Sequence, residues 1–121
     1  MGKMKHNFRE LKIWQESMNL AQEVFLQVKS FPAEEKFGLS SQLKRAAISV
    51  PSKIAEGSAR VSGKHFIQYL ETSLGSLFEI ETQLLLARQM DLLEADDAEI
   101  LINKTQELQK MIAGFIKTIH D

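Results

Sequence analysis

The chain has 121 residues, a formal net charge of −1 and no cysteine. This length suits one domain, residues 1–121, that buries its own core, and the missing cysteines exclude disulfides and cysteine-based zinc sites. A near-neutral charge excludes nucleic-acid binding driven by bulk charge, so any basic surface must be local. No apolar run reaches the ~20 residues that cross a bilayer, and the N-terminal residues lack the apolar core of a signal peptide. We therefore expect a cytoplasmic protein with no membrane contact.

Apolar residues recur every three or four positions along the chain, which predicts helices and no strand. The first helix is predicted over residues 8–29, with Asn7 as its cap and Glu10 completing a capping box. Its predicted core seam follows heptad spacing and consists of Leu11, Trp14, Met18, Ala21, Phe25 and Val28. A second apolar line beside this seam consists of Ile13, Leu20 and Val24. One bundle core does not need both lines, so the second line favours self-assembly.

The second predicted helix, residues 39–60, carries Pro51 in its interior. A proline there removes a backbone hydrogen bond and clashes with the preceding turn, at a cost of ~3 kcal/mol. We therefore expect packing on both sides to hold this helix together, and Pro51 to bend it. Gly57 is expected to loosen the end of the helix. Its predicted core face consists of Leu39, Leu43, Ala46, Ala47, Val50 and Ile54.

The third predicted helix, residues 63–90, follows a Ser62 cap. Small residues in its middle, Ser73, Gly75 and Ser76, predict a close helix crossing, since an interior glycine otherwise costs up to ~1 kcal/mol. The fourth predicted helix, residues 97–119, starts from an Asp96 cap. Short connections between long helices favour an all-α, antiparallel up-down four-helix bundle with a proline-bent second helix.

Glu81 is a carboxylate on the core-facing side of the third helix when the helix is projected at ~100° per residue. A carboxylate in that position must be paired, lie at the boundary or take up a proton. We hypothesise Arg45 or Arg60 as its partner, with Arg45 and Glu81 as the candidate buried polar pair. An ion pair that fixes helix register is one interpretation, and a ligand or active-site role is the other.

Basic residues gather on the second helix and the turn after it: Lys44, Arg45, Lys53, Arg60 and Lys64. Neutralising phosphates requires several such charges on one surface, so these five are the candidate contacts to nucleic acid or a partner. A solvated helical face, with Glu56, Glu71 and Glu79 nearby, is the alternative interpretation.

Catalytic and cofactor motifs are missing from the sequence. It contains no Glu-x-x-His or His-x-x-x-His pair, no phosphate-cradling glycine loop and no nucleophile elbow. We therefore expect no enzyme, no metal or other cofactor and no small-molecule substrate. A bound metal or a deep polar pocket around Glu81 would favour an enzyme instead.

Three segments resemble one bacterial family, the four-helix-bundle proteins named for reading frames in 23S ribosomal RNA intervening sequences. They are residues 8–25, residues 31–60 with Pro51 and the run Ile54-Ala55-Glu56-Gly57, and residues 66–87 with Gly75-Ser76, Glu79 and Glu81. Lys53 departs from the family, which usually has asparagine there, and adds a positive charge.

This resemblance implies a cyclic homopentamer. It also implies similarity to the accessory variability protein of diversity-generating retroelements, a pentameric barrel that partners a reverse transcriptase and binds nucleic acid through basic residues. The expected function is therefore a non-enzymatic oligomeric module that binds RNA or a nucleoprotein partner, such as a nucleic-acid enzyme, through the basic residues. A protein-interaction scaffold with no nucleic-acid role is the alternative.

Overall fold

The computed structural model describes residues 7–35 and 38–120. Within these ranges the chain forms four α-helices and no strand: α1 (Lys12–Val28), α2 (Leu39–Ser58), α3 (Gly63–Gln89) and α4 (Ala95–Ile116). Short 3-10 turns cover Phe8–Glu10 and Ala33–Glu35. The predicted all-α fold with four helices is confirmed. Residues 1–6, which belong to the N-terminal segment predicted not to be a signal peptide, lie outside the described part.

Each helix packs on the next along the chain, and α4 packs back on α1. Contacts run in opposite order along α3 and α4, because Phe66 meets Phe115 at 5.8 Å between ring centroids while Glu81 meets Gln106. Ser73 and Ser76 of α3 likewise meet α2 in reverse order, so α2 and α3 are also antiparallel. The up-down order of all four helices and a bend at Pro51 stay predictions.

Helix starts differ from the sequence predictions at two of the caps. The Asn7 side chain accepts a hydrogen bond from the Arg9 backbone N–H at 3.2 Å, but it caps the 3-10 turn, and α1 begins later, at Lys12. Asp96 lies inside the first turn of α4, where its charge favours the helix dipole, instead of at the cap. Ser62 is the cap of α3 as predicted, since its Oγ accepts from the His65 N–H at 3.4 Å.

The apolar line of α1 that enters the core most fully is the second one, so the predicted heptad seam is wrong as the centre of the core and lies at its edge. Ile13, Leu20 and Val24 of the second line are buried. Of the predicted seam only Val28 is buried, Leu11, Trp14 and Ala21 are partly buried against the core, and Met18 and Phe25 are exposed. Both lines have helical spacing, and spacing alone cannot tell which side meets α2 and α4. Met18 and Phe25 of the predicted seam instead face outward along α2.

Helix α2 is continuous through Pro51, and its predicted core face is buried, with Leu39 partly buried at its start. Beside the proline, Ser73 Oγ donates to the Val50 carbonyl at 2.9 Å, and Ser76 Oγ bonds Ser49 Oγ at 3.0 Å. Because the serine side chains are small, α3 can lie close to α2 while both buried hydroxyls keep a hydrogen-bond partner. Packing on α3 therefore supports α2 where the proline weakens it.

The glycine at a close helix contact is Gly57, not Gly75 as predicted. A Cβ on Gly57 would lie 2.7 Å from Tyr69 Cβ and 2.8 Å from Phe66 Cδ1, whereas a Cβ on Gly75 would have no neighbour within 4 Å. Gly57 does not loosen the end of α2, which continues to Ser58. It lets the last turn of α2 touch the first turns of α3.

Candidate nucleic-acid interface and an apolar groove

Two of the predicted basic residues converge on one aromatic ring, Tyr69. Lys53 and Arg60 lie two turns apart on α2 and the turn after it, so they share a face. The Lys53 Nζ lies 5.8 Å and the Arg60 Cζ lies 4.8 Å from the Tyr69 ring centroid, and the Arg60 guanidinium donates a hydrogen bond to the Tyr69 hydroxyl. We call Lys53, Arg60 and Tyr69 the Tyr69 cluster. Cations at such distances are attracted by the ring.

A negative charge, Glu56, lies beside the Tyr69 cluster. The Lys53 Nζ forms an ion pair with Glu56 Oε1 at 3.1 Å, and both side chains are partly exposed to solvent. Exposed pairs of this kind contribute only about 0 to 1 kcal/mol. A phosphate group can therefore replace Glu56 as the partner of Lys53 at little cost.

The five predicted contact residues do not form one patch. Lys44 lies about half a helical turn from Lys53 around α2, and its Nζ is 5.8 Å from the Phe25 ring of α1. Arg45 is an exposed residue of α2, and Lys64 is exposed in the first turn of α3. The structure thus places Lys53 and Arg60 together and Lys44 on the opposite side, towards α1.

Glu81 is held by α4, so the predicted Arg45–Glu81 pair is not the one that forms. Gln109 Nε2 donates to Glu81 Oε1 at 2.8 Å and Gln106 Nε2 donates to Oε2 at 2.9 Å. Arg60, the other predicted partner, bonds Tyr69 instead. The projection placed Glu81 beside the core but could not show that it faces α4 while Ser73 and Ser76 face α2.

Hydrogen bonding sets the charge state of this half-buried carboxylate. The bonds from Gln109 and Gln106 lower the pKa of Glu81 below its ordinary value, and partial burial opposes them. The two amide bonds therefore stabilise the charged form of Glu81, and the carboxylate links α3 to α4 as their acceptor.

An apolar groove of about 750 Å³ runs between α1 and α2 on the outside of the bundle. The outward apolar line of α1 forms one wall, and Ile48 and the buried Pro51 belong to the other. We call it the α1–α2 groove. Its lining consists of Trp14, Met18, Ala21, Gln22, Phe25, Leu26, Lys29, Ile48, Pro51, Ser52 and Ala55.

Sequence reasoning missed Tyr69 and the two glutamines. Tyr69 directly precedes Leu70, which is buried in the core, and an aromatic ring with a polar tip beside a core residue is typical of a boundary position. Gln106 and Gln109 are three apart, a spacing that puts two amides on one side of α4. Neither sequence pattern identifies the residues that these side chains contact, because those contacts depend on how the helices pack against one another.

Residues 9–114 match the family model described as 23S rRNA-intervening sequence protein. The chain belongs to the 23S rRNA-intervening sequence protein family. The match begins in the turn before α1 and ends within α4. The Tyr69 cluster, the α1–α2 groove and the Glu81 contacts therefore all lie inside the part that defines this family. The family resemblance noted from the sequence is confirmed.

A solved structure shares the fold of this 23S rRNA-intervening sequence protein. It is a protein of unknown function from the S23 ribosomal protein family of Bacteroides thetaiotaomicron, with a TM-score of 0.79 and 23% sequence identity. The similarity covers 88% of this chain and 99% of that one. At this identity the likeness shows the fold alone. No curated protein matches the chain.

A metal site requires several ligating side chains close together, and a membrane-spanning helix requires a long apolar segment. In residues 7–35 and 38–120, His, Asp and Glu side chains form no group of three that could hold a metal ion. The described helices also include none that is long and apolar enough to span a bilayer.

Proposed function

We propose that this chain is a non-enzymatic, self-assembling helical module of the cytoplasm that binds RNA, or a nucleoprotein such as a nucleic-acid enzyme, through the Tyr69 cluster and Lys64. The proposed assembly is a homopentamer, as the family resemblance implies. The convergence of Lys53 and Arg60 on Tyr69 is the observation that carries the proposal. The family description, which names 23S rRNA, supports RNA as the ligand.

The chemistry of the Tyr69 cluster suits single-stranded or looped RNA. Proteins recognise such RNA by stacking unpaired bases on aromatic rings and guanidinium planes, and by neutralising the backbone with cations. Arg60 is already positioned over the ring of Tyr69 by its hydrogen bond to the tyrosine hydroxyl. Less side-chain freedom is then lost when a phosphate or a base binds.

Self-assembly would compensate for the small charge of a single copy. Each chain has a net charge of −1, and two cations at one ring give only a weak phosphate site. Several copies bound to one RNA convert later contacts into intramolecular ones and raise the overall affinity. The exposed apolar α1–α2 groove supports such an assembly.

A salt-dependent binding titration tests the RNA proposal. We expect a fluorescently labelled hairpin RNA to bind the wild-type protein, with an affinity that falls steeply between about 50 and 200 mM salt. The double substitution Lys53→Glu and Arg60→Glu should weaken binding at least tenfold at low salt and flatten the dependence on salt. Fluorescence anisotropy measures both quantities.

The matched control is the double substitution Arg88→Glu and Lys110→Glu, which changes the net charge equally at exposed positions on α3 and α4. We expect it to change affinity by less than threefold. Equal weakening by the two double variants would assign binding to bulk charge instead of the Tyr69 cluster. Negligible binding of the wild type at low salt would refute the RNA proposal.

A protein-interaction scaffold with no nucleic-acid role is the second candidate function, and the α1–α2 groove is the observation that favours it. The apolar side chains that line the groove form one continuous exposed surface, and such surfaces are typical of sites that bind another protein. Absence of RNA binding at the lowest salt, together with assembly that depends on the groove, would favour the scaffold over the RNA-binding module.

A further inference from the structure

The outward side of α3 has two features that its own chain does not explain. Phe78 is 52% exposed. Gly75, one turn earlier, has no atom within 4 Å of where its Cβ would lie, apart from its two chain neighbours and the backbone of its own helix. An alanine at such an exposed helix position would be more stable by up to about 1 kcal/mol. A glycine with open space above it and a phenylalanine beside it are typical of a surface that another helix approaches closely.

This surface can be defined from the helical projection. Residues within about 60° of Gly75 around α3 are all exposed, and the surface between the two end turns of the helix, which contain Lys64 and Gln89, runs from Gln68 to Leu86. We call this surface the α3 outer face, and it consists of Gln68, Glu71, Thr72, Gly75, Phe78, Glu79, Thr82 and Leu86. Thr72 and Thr82 turn their hydroxyls back to the carbonyls of Gln68 and Phe78, so these two side chains present little unsatisfied polarity.

The α3 outer face and the α1–α2 groove carry opposite charges. The sequence from Ile67 to Ala87 contains three glutamates and no lysine or arginine, and Glu71 and Glu79 belong to the outer face. The groove lining contains Lys29 and no acidic residue, and Lys44 lies beside its Phe25 wall. Complementary charges at the edges of two apolar surfaces favour their association and set its register.

We infer that the α1–α2 groove of one copy receives the α3 outer face of a second copy. Phe78 enters the groove, Gly75 permits close approach of the neighbouring helix, and Glu71 and Glu79 face the lysines of the groove. The inference rests on the proposed self-assembly and names the two surfaces that make it. Because these surfaces are different parts of one chain, the contact is head-to-tail and builds a ring if its rotation closes.

A complementation experiment tests the head-to-tail arrangement. Ile48→Glu places a charge in the groove, and Phe78→Glu places one on the α3 outer face, so each variant keeps one intact surface. We expect each variant alone to be monomeric by sedimentation velocity. An equimolar mixture should form 1:1 dimers and nothing larger. Assembly of Phe78→Glu by itself, or a mixture that stays monomeric, would overturn the inference.

Two matched controls separate assembly from folding. Ile100 on α4 is as exposed as Phe78, at 52%, and we expect Ile100→Glu to leave assembly unchanged. Gly114 on α4 also has nothing within 4 Å of where its Cβ would lie. We expect Gly75→Ala and Gly114→Ala both to raise the melting temperature, while only Gly75→Ala weakens assembly, by at least tenfold. An unchanged assembly of Gly75→Ala would count against the inference.

The same measurements distinguish this inference from the proposed function. If the wild-type chain is monomeric at every concentration tested, the proposed self-assembly fails and the inference fails with it. If the wild type assembles but Phe78→Glu and Ile48→Glu assemble equally well, only the assignment of these two surfaces is wrong.

Discussion

Within the described residues, helix α2 packs on two other α-helices, α1 and α3, and meets them in different ways. On the α3 side, Ser49 and the Val50 carbonyl form hydrogen bonds with two serine side chains of α3. Gly57 on the same side allows the two helices to lie in close contact. Along α1 its outward side, with Ile48, borders an open apolar groove. The α2–α3 contact is complete within one chain, whereas the α1–α2 groove leaves apolar surface in water. The first serves the fold, and the second is available to another molecule.

Pro51 lies where these two sides meet. It is buried, it contributes to the lining of the groove, and it directly follows Val50, whose carbonyl accepts the hydrogen bond from Ser73. A proline within a helix leaves one carbonyl without its usual partner. The carbonyl that loses its partner is that of Ala47, four residues before Pro51, so the Ser73 bond to Val50 does not replace it. Close packing on α3 before and after the proline stabilises the helix instead.

The largest expected effect compares two isoleucines of α2. Ile54 is 0% exposed and Ile48 is 50% exposed. We predict that Ile54→Ala lowers the free energy of unfolding by about 2 to 5 kcal/mol, because it leaves a cavity in the core. Ile48→Ala should change it by less than about 0.5 kcal/mol. Urea denaturation of dilute protein measures both, and similar losses would show that the groove is as important to the fold as the core.

A smaller effect is expected from two glycines that differ in their surroundings. Gly57→Ala should destabilise the protein by about 1 to 3 kcal/mol, because its Cβ would overlap with Tyr69 and Phe66. Gly114→Ala should stabilise it by up to about 1 kcal/mol, because the position is open and alanine favours helices. Thermal denaturation distinguishes the two signs. Stabilisation by Gly57→Ala would contradict a close α2–α3 contact at that residue.

The smallest expected effect concerns the link between α3 and α4. Since hydrogen bonds lower the pKa of Glu81 in the folded state, its contribution to stability is present above the ordinary carboxyl pKa. It is lost as the pH falls through the lower, folded-state value. We predict a contribution below about 1 kcal/mol, because the site is only half-buried.

Glu81→Gln should remove this part of the acid dependence, and Glu79→Gln, at an exposed position on the same helix, should leave it in place. Urea denaturation at neutral and acidic pH measures the difference. An identical acid dependence in wild type and Glu81→Gln would show that the bonds to Gln106 and Gln109 do not stabilise the charged form.

Much of the fold was predictable because the spacing of apolar residues and the residues that begin and end helices are local features of the sequence. The buried face of α2 from Leu43 to Ile54, the Ser62 cap and the number of helices all follow from residues close together in the chain. The starts of α1 and α4 were less predictable. Asn7 can cap a 3-10 turn as well as an α-helix, and Asp96 is as favourable inside a first turn as before it.

The candidate sites were predictable only in part. The basic residues of α2 could be named, but their division between the Tyr69 ring and the α1 side follows from where α1 and α3 pack. The predicted partner of Glu81 was wrong for the same reason, since several polar residues lie within reach of a side chain whose neighbouring helix is unknown.

The sequence by itself determined that this chain forms four helices, with a proline inside the second, and that it resembles one family. These are consequences of spacing, caps and motifs that act over a few turns. The tertiary structure alone decided which apolar line of α1 enters the core, which glycine meets a neighbour and which cations share Tyr69. Those outcomes depend on the rotation of each helix about its axis, and only packing against the other helices sets that rotation.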